Sequence, residues 1–187
     1  MTNKDYQRCV QAGACKHPSV TGTEWCQRYD APGCADYPVS YVSWQNAVTY
    51  CQWAGKRLPT TLEWEKAARG PNGYVYPWGD DEPGGGHANL CDTNCAQAWR
   101  DSGINDGFAG PAPVGFFPAG ASPYGVLDMA GNVAEWVDGG SFGRRIARGG
   151  SYKDEYYSLR ASATDDALPG SEDCAPFIGF RCARDED

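Results

Sequence analysis

From residue 71 to about 140 this chain offers no regular hydrophobic period. The stretch opens with "GPNGYVYPWGDDEPGGG", where Pro, Gly, Asn and Asp break both the helical repeat and strand alternation. So long an irregular segment inside a compact domain needs an external staple, either disulfides or bound ions. The composition points the same way. With 24 glycines and 13 prolines, the chain reads as turns and loops on a small frame, not as a helical bundle.

Nine cysteines, at 9, 15, 26, 34, 51, 91, 95, 174 and 182, are many for 187 residues. No CxxC pair occurs, and only His17 and His87 could join thiolates on a metal, which disfavours zinc. Disulfides are the expectation, and with them an extracytoplasmic compartment: periplasmic, cell-surface or secreted. Because "MTNKDYQRC" is polar from the start, an export signal is expected to be absent, removed, or carried upstream in a longer parent chain. Cys91 and Cys95 are close enough to pair locally. Cys9, Cys15, Cys26 and Cys34 are expected to pair among themselves in one of three connectivities, which leaves Cys174 over.

The formal charge of −8 comes without a basic cluster, which argues against a nucleic-acid partner. No run of 18 apolar residues exists, so membrane insertion is not expected. An acidic balance suits hard cations such as Ca²⁺.

Residues 1–36 read as a cysteine-rich irregular segment containing a short helix near 3–12. Trp44, Ala47, Val48 and Cys51 fall at i, i+3, i+4 and i+7, one face of a helix capped by Ser43 and stopped at Gly55. Thr60 and Glu63 stand in capping-box spacing before a second helix that Gly70 ends. Near the end, "RRIARGGSY" and "FIGFRCAR" alternate well enough to be two short strands.

The order of several blocks, "YPVSYVSWQNAVTYCQWAGKRLPTTLEWEKAARG", "YPWGDD", "APVGFFPAGASPYGVLDMAGNVAEWV", "RGGSY" and "GFRCAR", resembles the formylglycine-generating enzyme (sulfatase-modifying factor) superfamily over about residues 37–183. The resemblance implies a single α+β domain over 1–187, with a fold related to C-type lectins. Two main helices, a small twisted antiparallel sheet and long loops are expected, without the strands that usually precede this point in family members. It pairs Cys51 with Cys182. It reads Trp44, Trp53, Trp64, Trp78 and Trp136 as core, and leaves Trp25 and Trp99 as loop anchors or exposed rings.

By spacing alone, Asn or Asp beside Gly mostly shapes turns. The resemblance implies more, namely two calcium sites. Carried over by position, one uses Asn89, the Leu90 carbonyl, Asp106 and the Phe108 carbonyl. The other uses Asp128, the carbonyls of Gly131 and Val133, and Glu135. Family members often have Asn where this chain has Asp128, a change that keeps an oxygen and adds charge.

The family's oxidative chemistry is a different matter. Formylglycine-generating enzymes hold copper between two active-site cysteines, and the first follows "GGSY" by two residues. Here that position is Asp154, and no cysteine occurs between Tyr152 and Asp173. Thiolates suit Cu(I) because both are soft, and a carboxylate cannot replace them. Copper and formylglycine generation are therefore not expected.

Related non-catalytic domains, attached to signalling kinases or acting as variable ligand-binding proteins, use the segment between "RGGS" and "GFR" as a ligand-facing surface. In this chain residues 151–178 offer Ser151, Tyr152, Asp154, Glu155, Tyr156, Tyr157 and Arg160 there. Tyrosine gives rigid amphipathic contact area at low entropic cost. The expectation is a protein or peptide ligand. The alternative is a metal- and O₂-dependent oxidoreductase of the same superfamily with an altered site.

Overall fold

The computed structural model describes residues 1–18, 29–140, 144–169 (backbone only at 165–169) and 174–185. Among the described residues, three α-helices and four short strands carry the regular structure: α1 (Asn3–Gln11), α2 (Trp44–Trp53), α3 (Thr61–Arg69), β1 (Ala134–Trp136), β2 (Arg144–Arg148), β3 (Thr164–Pro169) and β4 (Ile178–Phe180). Loops supply the rest, as their composition requires.

Each helix starts where a side-chain oxygen satisfies an orphan N–H. Thr2 accepts from the Asp5 amide in α1, and Ser43 from the Asn46 amide in α2. In α3 the capping box closes in both directions. The Glu63 amide donates to Thr60, the Thr60 amide donates to the Glu63 carboxylate, and Arg57 forks onto both Glu63 oxygens at 2.7 Å. Gly70 ends α3 at φ 64°, where an added Cβ would also stand 2.4 Å from Pro123. The buried stripe of α2 is wider than its spacing suggested. Ala47, Tyr50 and Cys51 are buried, while Trp44 and Val48 pack against them only partly covered. Trp53, expected in the core, is 42% exposed at the helix end.

The sheet runs β3-β2-β1-β4, and it corrects the antiparallel expectation. β1 pairs antiparallel with β2 but parallel with β4, with Glu135 opposite both Arg148 and Gly179. β1 is central and wholly buried. At three residues it is too short to show alternation in the sequence. On one side Tyr6 stacks on Tyr50 with centroids 5.6 Å apart, and Phe180 meets Tyr50 edge-on at 5.3 Å. This layer, with Val39, Val42, Leu58, Trp136 and Ile178, joins α1 and α2 to β1 and β4.

Disulfides fix what the elements do not. Cys51–Cys182 ties α2 to the chain just past β4 across 131 residues of sequence, a closure worth about 4–5 kcal/mol in the chain-entropy account. Cys91–Cys95 closes a tight loop, and Cys9–Cys15 selects one of the open connectivities. Cys34 is also disulfide-bonded, and Cys174 is the free thiol among the described residues. Trp25 and Cys26 lie outside the described residues. No described helix is long and apolar enough to cross a membrane.

Hydrogen bonds from Arg57, then from Thr60, hold the Glu63 pKa down to about 2. A depressed carboxylate contributes stability above its unfolded pKa and loses it as pH falls through the folded value. Because Glu63 is nearly half exposed, the contribution is small. Glu63→Gln should cost about 0.5–1 kcal/mol in urea unfolding at pH 7. That deficit should vanish between pH 4.5 and 2; a deficit constant with pH would contradict the assignment.

Candidate functional site

The segment after β2 is built as a buried turn carrying an exposed tip. Arg148 ends β2 with its guanidinium 2% exposed, donating to Glu65 at 2.6 Å and to the Ala161 carbonyl at 3.1 Å. Gly149 follows at φ 93°, and a Cβ there would stand 3.0 Å from the Trp64 ring, so this turn needs glycine. The Ser151 amide and hydroxyl then both donate to Asp154 Oδ2, at 2.8 and 2.7 Å.

This geometry divides the residues proposed for ligand contact. Ser151 and Tyr152 are buried, at 0% and 4% exposure, so neither adds to the exposed surface of the segment. Their burial follows from the Tyr152 amide donating to the Asn132 carbonyl, which draws the turn inward. Asp154 is committed to Ser151. Glu155 and Tyr156 are partly exposed, and Tyr157 and Arg160 exposed, around a short turn of 3-10 helix, Tyr156–Leu159, whose Leu159 plugs into a cluster with Tyr76, Ala88 and Leu90. Hydrogen bonding to Glu155 raises the Tyr157 pKa.

A second loop packs against this segment, joined to it by backbone and side-chain hydrogen bonds that leave no local pattern in the sequence. The Cys91 amide donates to the Asp154 carbonyl at 3.0 Å, and Trp99 Nε1 donates to the Lys153 carbonyl at 3.1 Å. Trp99 is anchored by its nitrogen yet 52% exposed, as is Tyr157. Beside this tip a cavity of about 290 Å³ is lined by Gly149, Gly150, Asp154, Ser158 and Thr164.

The two oxygen-ligand sets lie on either side of the Gly131–Asn132 turn. Asn132 donates from its amide to the Asn89 carbonyl, and the Gly131 amide donates to the Gly149 carbonyl. No cluster of three or more His, Cys, Asp or Glu forms among the described residues, so either set would have to mix carboxylates with amide and carbonyl oxygens.

In the first set Asn89 is fully buried. Its Nδ2 donates to the Gly110 carbonyl, and its Oδ1 has no hydrogen-bond partner. Asp106, 7% exposed, accepts from the amides of Leu90 and Phe108. Burial raises the Asp106 pKa, and the nearby charge of Asp92 adds to the rise. Asp92 was not singled out from the sequence. It is fully buried and accepts from the Asp106 amide. Among the described residues no ion pair engages Asp92 or Asp106. An orphaned amide oxygen beside two uncompensated carboxylates fits a hard cation.

The second set is arranged differently. Glu135, 5% exposed, already has its cation: Arg181 donates to both carboxylate oxygens, and Trp64 Nε1 adds a third bond at 2.8 Å. Arg181 Nη2 also donates to the carbonyls of Leu127 and Asp128 at 3.0 and 3.1 Å. Burial works against the charge of Arg181, yet Glu135 and Asp128 hold its pKa above the ordinary value. Asp128 accepts from the Gly115 amide at 2.7 Å, and burial raises its pKa. Asp128, Val133 and Glu135 share the lining of a cavity of about 220 Å³.

Comparison with known proteins accounts for this combination of frame and loops. The chain is 38% identical over 174 residues to the formylglycine-generating enzyme of Mus musculus, covering 81% of this chain and 45% of the mouse protein. It is 37% identical over 161 residues to inactive C-alpha-formylglycine-generating enzyme 2 of Bos taurus, covering 79% of this chain and 50% of that one. The chain thus spans about half the length of these curated relatives. Its fold matches the structure of PvdO from Pseudomonas aeruginosa with a TM-score of 0.73 at 22% identity, over 96% of this chain and 75% of that one. The sulfatase-modifying factor enzyme 1-like domain profile matches residues 1–186, and the chain belongs to that family.

Proposed function

We propose that this chain is a non-catalytic or divergent member of its family that binds a protein or peptide ligand, held in shape by calcium and disulfides. The observation that carries the reading is Asp154. It stands where the resemblance places a copper-binding cysteine, and its carboxylate is bound to the Ser151 amide and hydroxyl. The sequence has no cysteine from Tyr152 to Asp173 to supply thiolates. What the segment does present is Tyr157 and Arg160 exposed and Tyr156 partly covered, with the exposed Trp99 bonded to its Lys153 carbonyl. Aromatic side chains held by a rigid turn are the common anchors of protein recognition. A relative whose name describes it as inactive makes a non-catalytic member of this frame reasonable. The disulfides support an extracytoplasmic setting.

The second reading, an oxidoreductase with an altered site, rests on Asp154 also lining the 290 Å³ cavity. Two assays separate the readings. Under the first, the protein takes up no stoichiometric Cu(I) from a competing chelator and consumes no O₂ with a cysteine-containing peptide; either activity would overturn it. In the second assay, peptides selected from a displayed library on the immobilised protein should lose about 2 kcal/mol of affinity, roughly thirtyfold, on Tyr157→Ala or Trp99→Ala. Unchanged binding would remove these residues from the surface.

Calcium is proposed first for Asn89, Asp106 and the carbonyls of Leu90 and Phe108, where an uncompensated charge and an unpaired oxygen support it. When bound, the ion supplies neutralisation and cross-linking of two loops. The proposal extends to Asp128, Gly131, Val133 and Glu135, where Arg181 already offsets one carboxylate, so an ion there matters less. Calcium at a hundredfold excess over its Kd adds about 2.7 kcal/mol. Removing it with EGTA should lower Tm by roughly 5–10 °C, reversibly. Asp106→Ala should remove most of the calcium response; a calcium-independent melt of the unaltered chain would contradict the site.

A further inference from the structure

We propose that Asp92 is a positioning residue for the cation site at Asn89 and Asp106, supplying its second negative charge and setting the charge of ion it accepts. The inference rests on the calcium reading above and deepens it.

Asp92 sits in the loop that Cys91–Cys95 closes, and local bonds turn its side chain inward. The Asn94 amide donates to Oδ1 at 2.7 Å, Asn94 Nδ2 donates to Oδ2 at 3.1 Å, and the Cys95 amide donates to the Asp92 carbonyl at 3.0 Å. An isolated acidic residue in so short a loop would normally face water. This one is fully buried, and its Oδ2 accepts from the Asp106 amide. Asp92 thus holds the backbone of the Asp106–Phe108 turn, from which two of the proposed ligands come. Three N–H groups already use its oxygens. It therefore acts through this hold and through its charge.

The charge balance is the second argument. The buried carboxylate of Glu135 is matched by Arg181. No described cationic side chain pairs with Asp92 or Asp106, and Asn89, which precedes the Leu90 whose amide donates to Asp106, keeps a buried Oδ1 without a partner. Two buried negative charges with no counter-charge are costly. A divalent cation would balance them, and the attraction of any cation to the site grows with its own charge.

The test uses the full chain with Ca²⁺ and Tb³⁺ as probes, measuring both affinities and the Tm in EGTA. Asp92→Asn should weaken Ca²⁺ about tenfold or more and Tb³⁺ by a larger factor, narrowing the preference for the trivalent ion. Its Tm in EGTA should change little, since losing an uncompensated charge offsets the loss of an acceptor for the Asp106 or Asn94 amide. A merely structural role would lower Tm in EGTA and weaken both ions by the same factor, and that outcome would overturn the proposal. Unchanged affinities would do so as well. If the unaltered chain binds neither ion, the cation site itself fails; if it binds both and Asp92→Asn binds them equally well, only the role of Asp92 fails.

Discussion

A carboxylate buried in the middle of a three-residue strand has to be matched, and the way Glu135 is matched organises the molecule. Taking an ion out of water costs several kcal/mol, and close pairing recovers that cost only when the remaining lone pairs are also satisfied. Arg181, directly after β4, provides the pairing, and Trp64 from α3 provides the further hydrogen bond. The same guanidinium then reaches the carbonyls of Leu127 and Asp128. One ion pair therefore gathers a helix, the central strand, the strand beside it and an irregular loop. In a fold with so little ladder hydrogen bonding, these contacts do what a wide sheet would otherwise do.

From that anchor the geometry passes outward through the turn at Gly131 and Asn132. A Cβ at Gly131 would fall 2.2 Å from the Asn89 carbonyl, so this close approach requires glycine. Asn132, at φ 62°, clasps Ala112 with both ends of its amide and receives the Tyr152 amide on its carbonyl. The proposed cation set and the base of the proposed recognition segment thus rest on one turn. The two buried acidic regions differ in a way that bears on function. Glu135 carries its counter-ion in the chain, whereas no described cationic side chain pairs with Asp92 or Asp106, which is the difference the proposed cation site rests on.

Local chemistry explains which parts were legible in the sequence. The helix starts were readable at Ser43 and at Thr60 with Glu63, because capping depends on neighbours three residues apart. Gly70 was readable for a similar reason. β1 was not readable, since its burial comes from pairing with residues beyond 140 and near 180. The antiparallel expectation failed at the same place, because strand direction on the β4 side is set by topology and leaves no local pattern. Ser151 and Tyr152 sat in a segment expected to face a ligand, and only the crossing of Asn132 shows that they are interior. Asp92 was not singled out from the sequence, because its burial and its bond to the Asp106 amide appear only once the Cys91–Cys95 loop lies against Asp106. Trp53 was placed in the core by the motif it belongs to, but the helix ends before the core can cover it.

The pairing of Glu135 with Arg181, rather than general burial, holds the loops to the sheet. A double-mutant cycle on stability in EGTA, with Arg181→Met, Glu135→Gln and the pair combined, tests it most directly. Arg181→Met alone should cost about 3–5 kcal/mol, because it strands a buried carboxylate. The combined variant should be at least 1.5 kcal/mol more stable than the sum of the single losses, a coupling of roughly the size found for contacting buried groups. Losses that simply add, within about 0.5 kcal/mol, would show that the two residues act independently and would contradict the account.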